Sequence, residues 1–438
     1  MTTTAAPAVP RAPSMTGRQK LVLTLLLGAQ FMVAVDFSIL NVALPVVGAG
    51  LGFPLGQLPW IATSFALAAA GFTLFFGRVA DLFGRKRLFV GGMAVLGLSS
   101  LLGGLATAPE VLIVARVLQG LATAAVAPAG LALLTTSFRE GPLRERALGL
   151  NGALMSAGFT AGAVLGGLLT DLLSWRWAFL VNVPVAAAVV ALAPSVIRDS
   201  KIVCRHRLDV PGAVTVTGGL LALVYGLTRA GAEGWTDPIA LVGGGVGVVL
   251  LVGFWFVEQR AVAPLVPVRI MRRRGVVWGN VAGLVAFATE TSLVFLLTLY
   301  LQEVLGCSPL ATGLAFGVLG LGTMLGGTLG GRVVGRYGTV RTPLVGFTAT
   351  ATSGLPDHEQ RLATGLATMT QQAGITLGIP VMSAVVAAQG SVVSGVTTAV
   401  LVNSGLVLAG SVLTWLLLRR GPTGARGTAR PATTHSQT

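Results

Sequence analysis

Polar and apolar positions along this chain do not alternate as they do around a soluble core; they separate into blocks. Apolar runs of about 18 to 28 residues follow one another almost without pause, and a helix of roughly 20 apolar residues is what crosses a hydrocarbon layer of about 30 Å. The runs predict twelve spans, at about 21–48, 58–77, 88–106, 110–135, 148–173, 176–196, 210–228, 238–257, 275–300, 309–331, 360–388 and 393–418. Between the tenth and eleventh lies 342–355, TPLVGFTATATSGL, which is apolar but too short to cross. The expected fold is all-α: a polytopic membrane helical bundle.

Composition agrees with the pattern. Hydrophobic residues make up 53% of the chain and charged residues 10%, against roughly 25% charge in a soluble globule; a disordered chain would be less apolar still. The net charge of +15 admits two origins, a nucleic-acid surface or the basic bias of cytoplasmic loops. The positions decide. With the N-terminus placed inside, 27 of the 30 Lys and Arg fall in inside segments, and Arg116, Arg176 and Arg229 alone lie elsewhere. The excess is therefore an orientation signal, with both termini cytoplasmic in the plasma membrane and no nucleic-acid partner. The first twenty residues are polar, and the run after them is too long for a signal-peptide core. Cys204 and Cys307 fall in loops on opposite faces, and with His206, His358 and His435 they make no metal site.

An internal repeat divides the chain. Residues 77–87 read GRVADLFGRKR and residues 331–341 read GRVVGRYGTVR, matching at Gly77/Gly331, Arg78/Arg332, Val79/Val333, Gly84/Gly338 and Arg87/Arg341. One copy follows the second span and the other the tenth. This predicts two pseudo-symmetric halves around a central cavity, with two inserted helices between them. The expected divisions are a cytoplasmic tail at 1–20, a six-span half at 21–196, a linker with two extra spans at 197–274, a C-terminal half at 275–418 and a cytoplasmic tail at 419–438. That C-terminal half holds four full spans plus the stub at 342–355, two fewer than the first.

Several polar residues sit inside these apolar runs. Asp36 lies near the middle of the first span, where an ionised carboxylate costs roughly 2.5–3.5 kcal/mol even on the mildest insertion scale. It persists there facing a wet cavity, paired, protonated, or as one side of a polar bond between helices. Arg116, amid Leu112, Ile113, Val114 and Val117, needs a partner, water, or a route to snorkel to an interface near Glu110. Glu290 lies in the ninth span, which the repeat makes the counterpart of the first. Asp36 and Glu290 are accordingly expected to face one central cavity across the pseudo-two-fold axis, with an interfacial glutamate as the alternative. The glycine-rich run 243–247 falls inside a span and lacks the strand–helix setting of a nucleotide loop. There is no Walker lysine motif and no credible catalytic set of side chains.

The motifs resemble the major facilitator superfamily, in its fourteen-span branch of drug:proton antiporters, over most of the chain. The loop Gly77-x3-Asp81-x2-Gly84-Arg85-Lys86-Arg87 is similar to that superfamily's signature between the second and third spans, although glycines with basic residues also suit any tight cytoplasmic turn. Asp36-Phe37-Ser38-Ile39-Leu40-Asn41-Val42-Ala43-Leu44-Pro45 resembles the branch's Asp-x-Thr-Ile-x-Asn-x-Ala-Leu-Pro pattern, with Ser38 in place of threonine. Arg116-Val117-Leu118-Gln119-Gly120 looks like its Arg-x-x-Gln-Gly motif. Gly149-x8-Gly158-x3-Gly162-Ala163-x2-Gly166-Gly167 has the spacing of the exporters' antiporter motif, with Ala163 where that motif carries proline; close helix packing is the competing explanation. Residues 174–184, SWRWAFLVNVP, resemble the branch's lead into its sixth span.

The resemblance implies a proton-coupled secondary transporter that exports small amphipathic or cationic drugs or antibiotics, with no cofactor beyond the proton gradient. It implies that Asp36, Glu290, Arg116, Asn41 and Gln119 serve proton coupling and the substrate cavity. Gly77, Asp81, Gly84, Arg85 and Lys86 would form a conformational gate that latches across the half interface, and Gly158, Gly162, Gly166 and Gly167 the antiporter helix. Phe37, Phe287 and Phe295 are the expected aromatic contacts for the apolar part of a substrate. The departure is the C-terminal half, in which TPLVGF resembles the start of one family span and TATATSGLP the end of the next. That leaves two alternatives, a non-transporting degenerate or scaffold membrane protein and proton-linked uptake of a small solute. Substrate partners, protons and the lipid bilayer follow from the transport reading.

Overall fold

The computed structural model describes residues 15–54, 57–138, 142–198, 209–261, 269, 273–322, 357–389 and 391–419. The second copy of the repeat, the stub at 342–355, Cys204 and both tails lie outside them. Among the described residues there are helices and no strands. The helices are α1 (Gly17–Leu51), α2 (Pro59–Phe83), α3 (Arg85–Gly104), α4 (Pro109–Ser137), α5 (Pro142–Leu172), α6 (Trp177–Leu180) and α7 (Asn182–Val196). They continue with α8 (Val210–Glu233), α9 (Pro238–Arg260), α10 (Arg274–Leu299), α11 (Pro309–Gly322), α12 (Asp357–Ala387) and α13 (Val392–Arg419). Among the described residues nine helical segments are long and apolar enough to cross a membrane, which makes the chain a multi-pass membrane protein. All twelve apolar runs fall on helices, the tenth being described as far as Gly322.

Local chemistry sets the ends. Thr16 and Gln19 form a capping box at the start of α1. Asp209 caps α8 by accepting from the Gly212 N–H, and Asp237 caps α9 by accepting from the Ala240 N–H, each at 2.9 Å. The turn between α2 and α3 is one residue, Gly84, at φ 105°, which a side chain rarely tolerates. The sixth span is two helices rather than one. Pro184 has no N–H to return to the carbonyl of Leu180, so the helix breaks at Val181 and restarts at Asn182. The ninth span extends past Leu299 through a π-helical turn at Tyr300–Val304.

In the first half α1 packs on α5, α2 on α4, and α3 on α4 and α7. In the second half α10 packs on α12 and α13. Phe37 of α1 and Phe287 of α10 join one apolar cluster, and further along the same two helices Gln302 donates to the Val42 carbonyl at 2.9 Å. The two helices therefore run the same way. Helix α13 runs back along α10, with Gly410 beside Val285 and Asn403 beside Ser292. Gly17 and Arg419 consequently sit at one face of the bundle.

Besides the contact of α1 with α10, the halves meet in two further places among the described residues. Helix α2 lies against α12, where Thr376 donates to the Ala66 carbonyl at 2.9 Å. Helix α5 lies against α11, where a Cβ added to Gly167 would fall 2.3 Å from the Pro309 carbonyl oxygen. The inserted pair α8 and α9 form a hairpin beside α2 and α12. Its glycine run is a packing surface: a Cβ at Gly247 would lie 2.5 Å from the Leu223 backbone nitrogen.

Candidate functional site

The polar residues of the first half converge on one point inside it. Asp36 of α1 and Arg116 of α4 are each 1% exposed and form an ion pair at 3.3 Å. Gln119, one helical turn beyond Arg116, donates to the other carboxylate oxygen at 3.0 Å and to Ser100 of α3 at 2.8 Å. Asn182, the first residue of α7, donates to Asp36 Oδ1 and to Ser100 Oγ, the latter at 3.1 Å. Arg116 is further held by the Gln119 side-chain oxygen at 2.9 Å and by the Ile61 carbonyl at 3.1 Å. Its guanidinium carbon stands 4.2 Å from the centre of the Phe65 ring, a cation–π contact that gains strength when shielded from water. Arg116 thus finds its partner inside the bundle and does not snorkel.

Glycine makes this geometry reachable. A Cβ at Gly120 would fall 2.3 Å from the Phe65 carbonyl oxygen, so α2 and α4 approach closely enough to lay Arg116 over that ring. On the other side of α1, Cβ atoms at Gly158, Gly162 and Gly166 would fall 2.9, 2.8 and 2.3 Å from the carbonyl oxygens of Phe31, Val35 and Ile39. Those three glycines of α5 form the face that α1 rests on, while Gly167 serves the contact with α11.

The expectation that Asp36 and Glu290 face one cavity is corrected here. Asp36 turns into the first half, toward α4 and α7, because every side chain that bonds to it among the described residues comes from those two helices. Glu290 is exposed and makes no hydrogen bond or ion pair among the described residues. It lies on the face of α10 between Phe287, which packs with Phe37, Phe65 and Ile375, and Val294 and Leu297, which pack with Val42, Ala163 and Phe316. That face is turned toward the first half. Phe37 and Phe287 share a cluster, and the Phe37 ring lies 5.3 Å from that of Phe159, tilted by 41°. Phe295 instead sits 4% exposed in the apolar core. Asn41 is buried one turn past Phe37, and its Nδ2 has no partner among the described residues.

The latch expected of the loop between α2 and α3 rests on Asp81, whose side chain falls outside what is described, and Lys86 takes a different partner. Lys86 does not reach the other half; its Nζ donates to the Pro194 carbonyl at 2.6 Å, at the C-terminus of α7. Arg18 caps the same helix end through the Val196 carbonyl at 2.9 and 3.1 Å. Cations at a helix C-terminus answer its partial negative charge, a nearer attraction than a latch across the interface. Arg85 begins α3, Gly77 lies within α2 with open space around it, and the side chain of Asp81 lies outside the described residues.

Ser100 and Asn182 carry no role in the sequence argument. Their signal was faint: a serine pair at 99–100 in the apolar run of α3, and an asparagine two residues before Pro184. A second polar clasp in the other half shows the same style of joining helices. There Ser292 donates to Asn403 at 3.0 Å, and Asn403 donates to the Thr289 carbonyl at 3.1 Å.

The sequence profile of the Major Facilitator Superfamily matches residues 26–356. The chain is 39% identical over 402 residues to the cephamycin export protein CmcT of Amycolatopsis lactamdurans, covering 81% of this chain and 82% of that protein. It is 39% identical over 416 residues to the puromycin resistance protein pur8 of Streptomyces alboniger, covering 92% and 82% respectively. Among solved structures, a peptide transporter, POT, in complex with sulfate superposes with a TM-score of 0.64 at 13% identity, covering 91% of this chain and 94% of that one. The human organic anion transporter MFSD10 gives 0.56 at 16% identity, with 92% and 100% covered. At such identities the likeness is one of fold.

Proposed function

The chain belongs to the major facilitator superfamily and is a membrane transporter rather than an enzyme, and from that premise we propose that it exports a small amphipathic or cationic compound of the antibiotic kind in exchange for protons. Both termini are then cytoplasmic, at the face shared by Gly17 and Arg419. The observation that carries the reading is the Asp36 carboxylate, shielded from water in an apolar bundle and neutralised by Arg116 alone among the described residues. A proton arriving on Asp36 competes directly with Arg116 for that charge. Taking it up cancels the ion pair between α1 and α4, which alters the contact of two helices that line the half.

Glu290 supplies the other charge. On the α10 face toward the first half it offers a carboxylate that is unpaired among the described residues to the cationic end of a substrate, and the rings of Phe37, Phe159 and Phe287 flank the apolar end. The relatives support the direction of transport, since they are an export protein and a resistance protein. A second reading, a membrane protein that no longer transports, is favoured by the stub at 342–355, which is too short for the two spans that the first half has at the matching place.

Everted membrane vesicles carrying the protein, energised by respiration and given a fluorescent lipophilic cation, separate the two. Uptake that collapses on adding a protonophore and is lost in Asp36→Asn supports proton-driven export. Uptake no greater than in vesicles without the protein, at matched membrane levels, refutes it in favour of the non-transporting reading.

A further inference from the structure

The groups aimed at the Asp36 carboxylate are all donors: Arg116 Nη1, Gln119 Nε2 and Asn182 Nδ2. They suit an ionised carboxylate, which only accepts. A protonated carboxyl in the same place carries an O–H that needs an acceptor, and a buried donor without one bears the full cost of losing water. Two amide oxygens lie nearby. Gln119 Oε1 is engaged, accepting from Arg116 Nη1 at 2.9 Å. Asn182 Oδ1 is buried with no partner among the described residues. Ser100 completes the set. Its Oγ accepts from Gln119 and from Asn182, and its hydroxyl donates to none of the described residues.

We propose that Asn182 is a positioning residue that lets Asp36 change protonation state in place, by turning its side-chain amide over. The proposal deepens the proton-coupled reading above and rests on it for Asp36 as the proton carrier. With Asp36 ionised, Asn182 Nδ2 donates to the carboxylate and to Ser100. A hydronium ion on the aqueous side then gives up its proton, one of its O–H bonds breaking as an O–H bond forms on Asp36 Oδ1; the carboxylate charge is cancelled and a water molecule is left. A half turn about the Asn182 amide torsion brings its Oδ1 to the place Nδ2 held. There it accepts from the new Asp36 O–H and from the Ser100 hydroxyl, whose hydrogen rotates toward it, while Gln119 goes on donating to Ser100 Oγ.

Either state leaves one Asn182 amide atom without a partner, Oδ1 before the turn and Nδ2 after it. The turn therefore exchanges like for like, which is what a two-position switch requires. Gln119 cannot substitute, because turning it would aim its amide hydrogens at the Arg116 guanidinium. Asn182 sits at the break between α6 and α7, so the amide is carried on a helix end and not within a continuous helix.

Infrared difference spectroscopy on the full chain in liposomes, stepped from neutral to acid, tests this. The band of the protonated Asp36 carboxyl is identified by its loss in Asp36→Asn, and the Asn182 amide carbonyl by isotope-labelled asparagine and its loss in Asn182→Leu. The expected result is that both bands change together with one pH midpoint. In Asn182→Leu the Asp36 band moves to the higher frequency of a carboxyl with no acceptor. Asn182→Ser, whose hydroxyl both donates and accepts, restores the original frequency. Should Asn182→Leu fail to fold, the labelled wild-type protein and Asn182→Ser carry the test. An Asp36 band that appears while the asparagine carbonyl stays still overturns the proposal, as does the absence of any Asp36 carboxyl band at every pH where the protein stays folded. Transport is assayed separately in the vesicles described above, so an amide switch seen without transport retires the export reading and leaves the switch.

Discussion

Removing one member of the Asp36–Arg116 pair strands the other in a site buried from solvent, and the size of that effect follows from the geometry. At 3.3 Å and an effective dielectric constant of about 20, Coulomb's law gives about 5 kcal/mol of attraction. Desolvation of both groups offsets much of this, so the intact pair adds little against a well-packed apolar replacement. A single substitution loses the attraction while keeping the desolvation of the surviving charge, and about 3–5 kcal/mol is the expected cost. Arg116→Met and Asp36→Asn should each destabilise the protein by that amount. The double variant should lie within about 1–2 kcal/mol of wild type, because no charge is left behind. The assay is a double-mutant cycle by reversible unfolding in mixed micelles, which cancels changes common to both backgrounds. A coupling energy of at least about 4 kcal/mol follows from these losses, well above the roughly 0.6 kcal/mol average of hydrogen bonds between membrane helices. Coupling below that average, with the single losses simply adding, would refute the argument that the two charges depend on each other.

The remaining expectations concern packing and the helix ends. Gly166→Ala places a Cβ 2.3 Å from the Ile39 carbonyl oxygen and should cost about 1–3 kcal/mol in the same unfolding assay, whereas Gly152→Ala, with open space around it, should be neutral or stabilising by up to about 1 kcal/mol. Lys86→Ala removes the cation from the C-terminus of α7 and should cost about 0.3–1 kcal/mol, a loss that added salt reduces. Arg229 donates to Asp237 at 2.7 Å and holds its carboxyl below the usual carboxylate range. The folded form is therefore favoured by this group above the unfolded value of about 3.9, and the contribution fades as pH falls through the lower folded value. Unfolding measured across the acid range should lose that component in Asp237→Asn.

How much of this was legible beforehand differs between the fold and the site. Every apolar run is helical as far as it is described, because in a bilayer the backbone must satisfy its own hydrogen bonds and a long apolar run leaves it no alternative. The break at Pro184 and the single-residue turn at Gly84 follow from equally local rules. That Asp36, Arg116 and Gln119 matter was visible as polarity inside apolar runs, since each needs a partner wherever it is placed. Which partner was not visible. The repeat suggested symmetry between Asp36 and Glu290, but it carries no information on which way a carboxylate turns.

The sequence by itself determined that the chain lies in a membrane, where its helices run, and which of its polar residues had to be answered by others. The tertiary structure alone decided that Asp36 is answered by α4 and α7 and not by the opposite half, that Asn182 and Ser100 complete its shell, and that Lys86 serves a helix end. The physical reason is one of range. Hydrophobicity and backbone hydrogen bonding act along a segment and can be read in order, while the charge pair of Asp36 and Arg116 joins segments 80 residues apart, brought together by glycine faces whose complementarity exists only once the helices are packed.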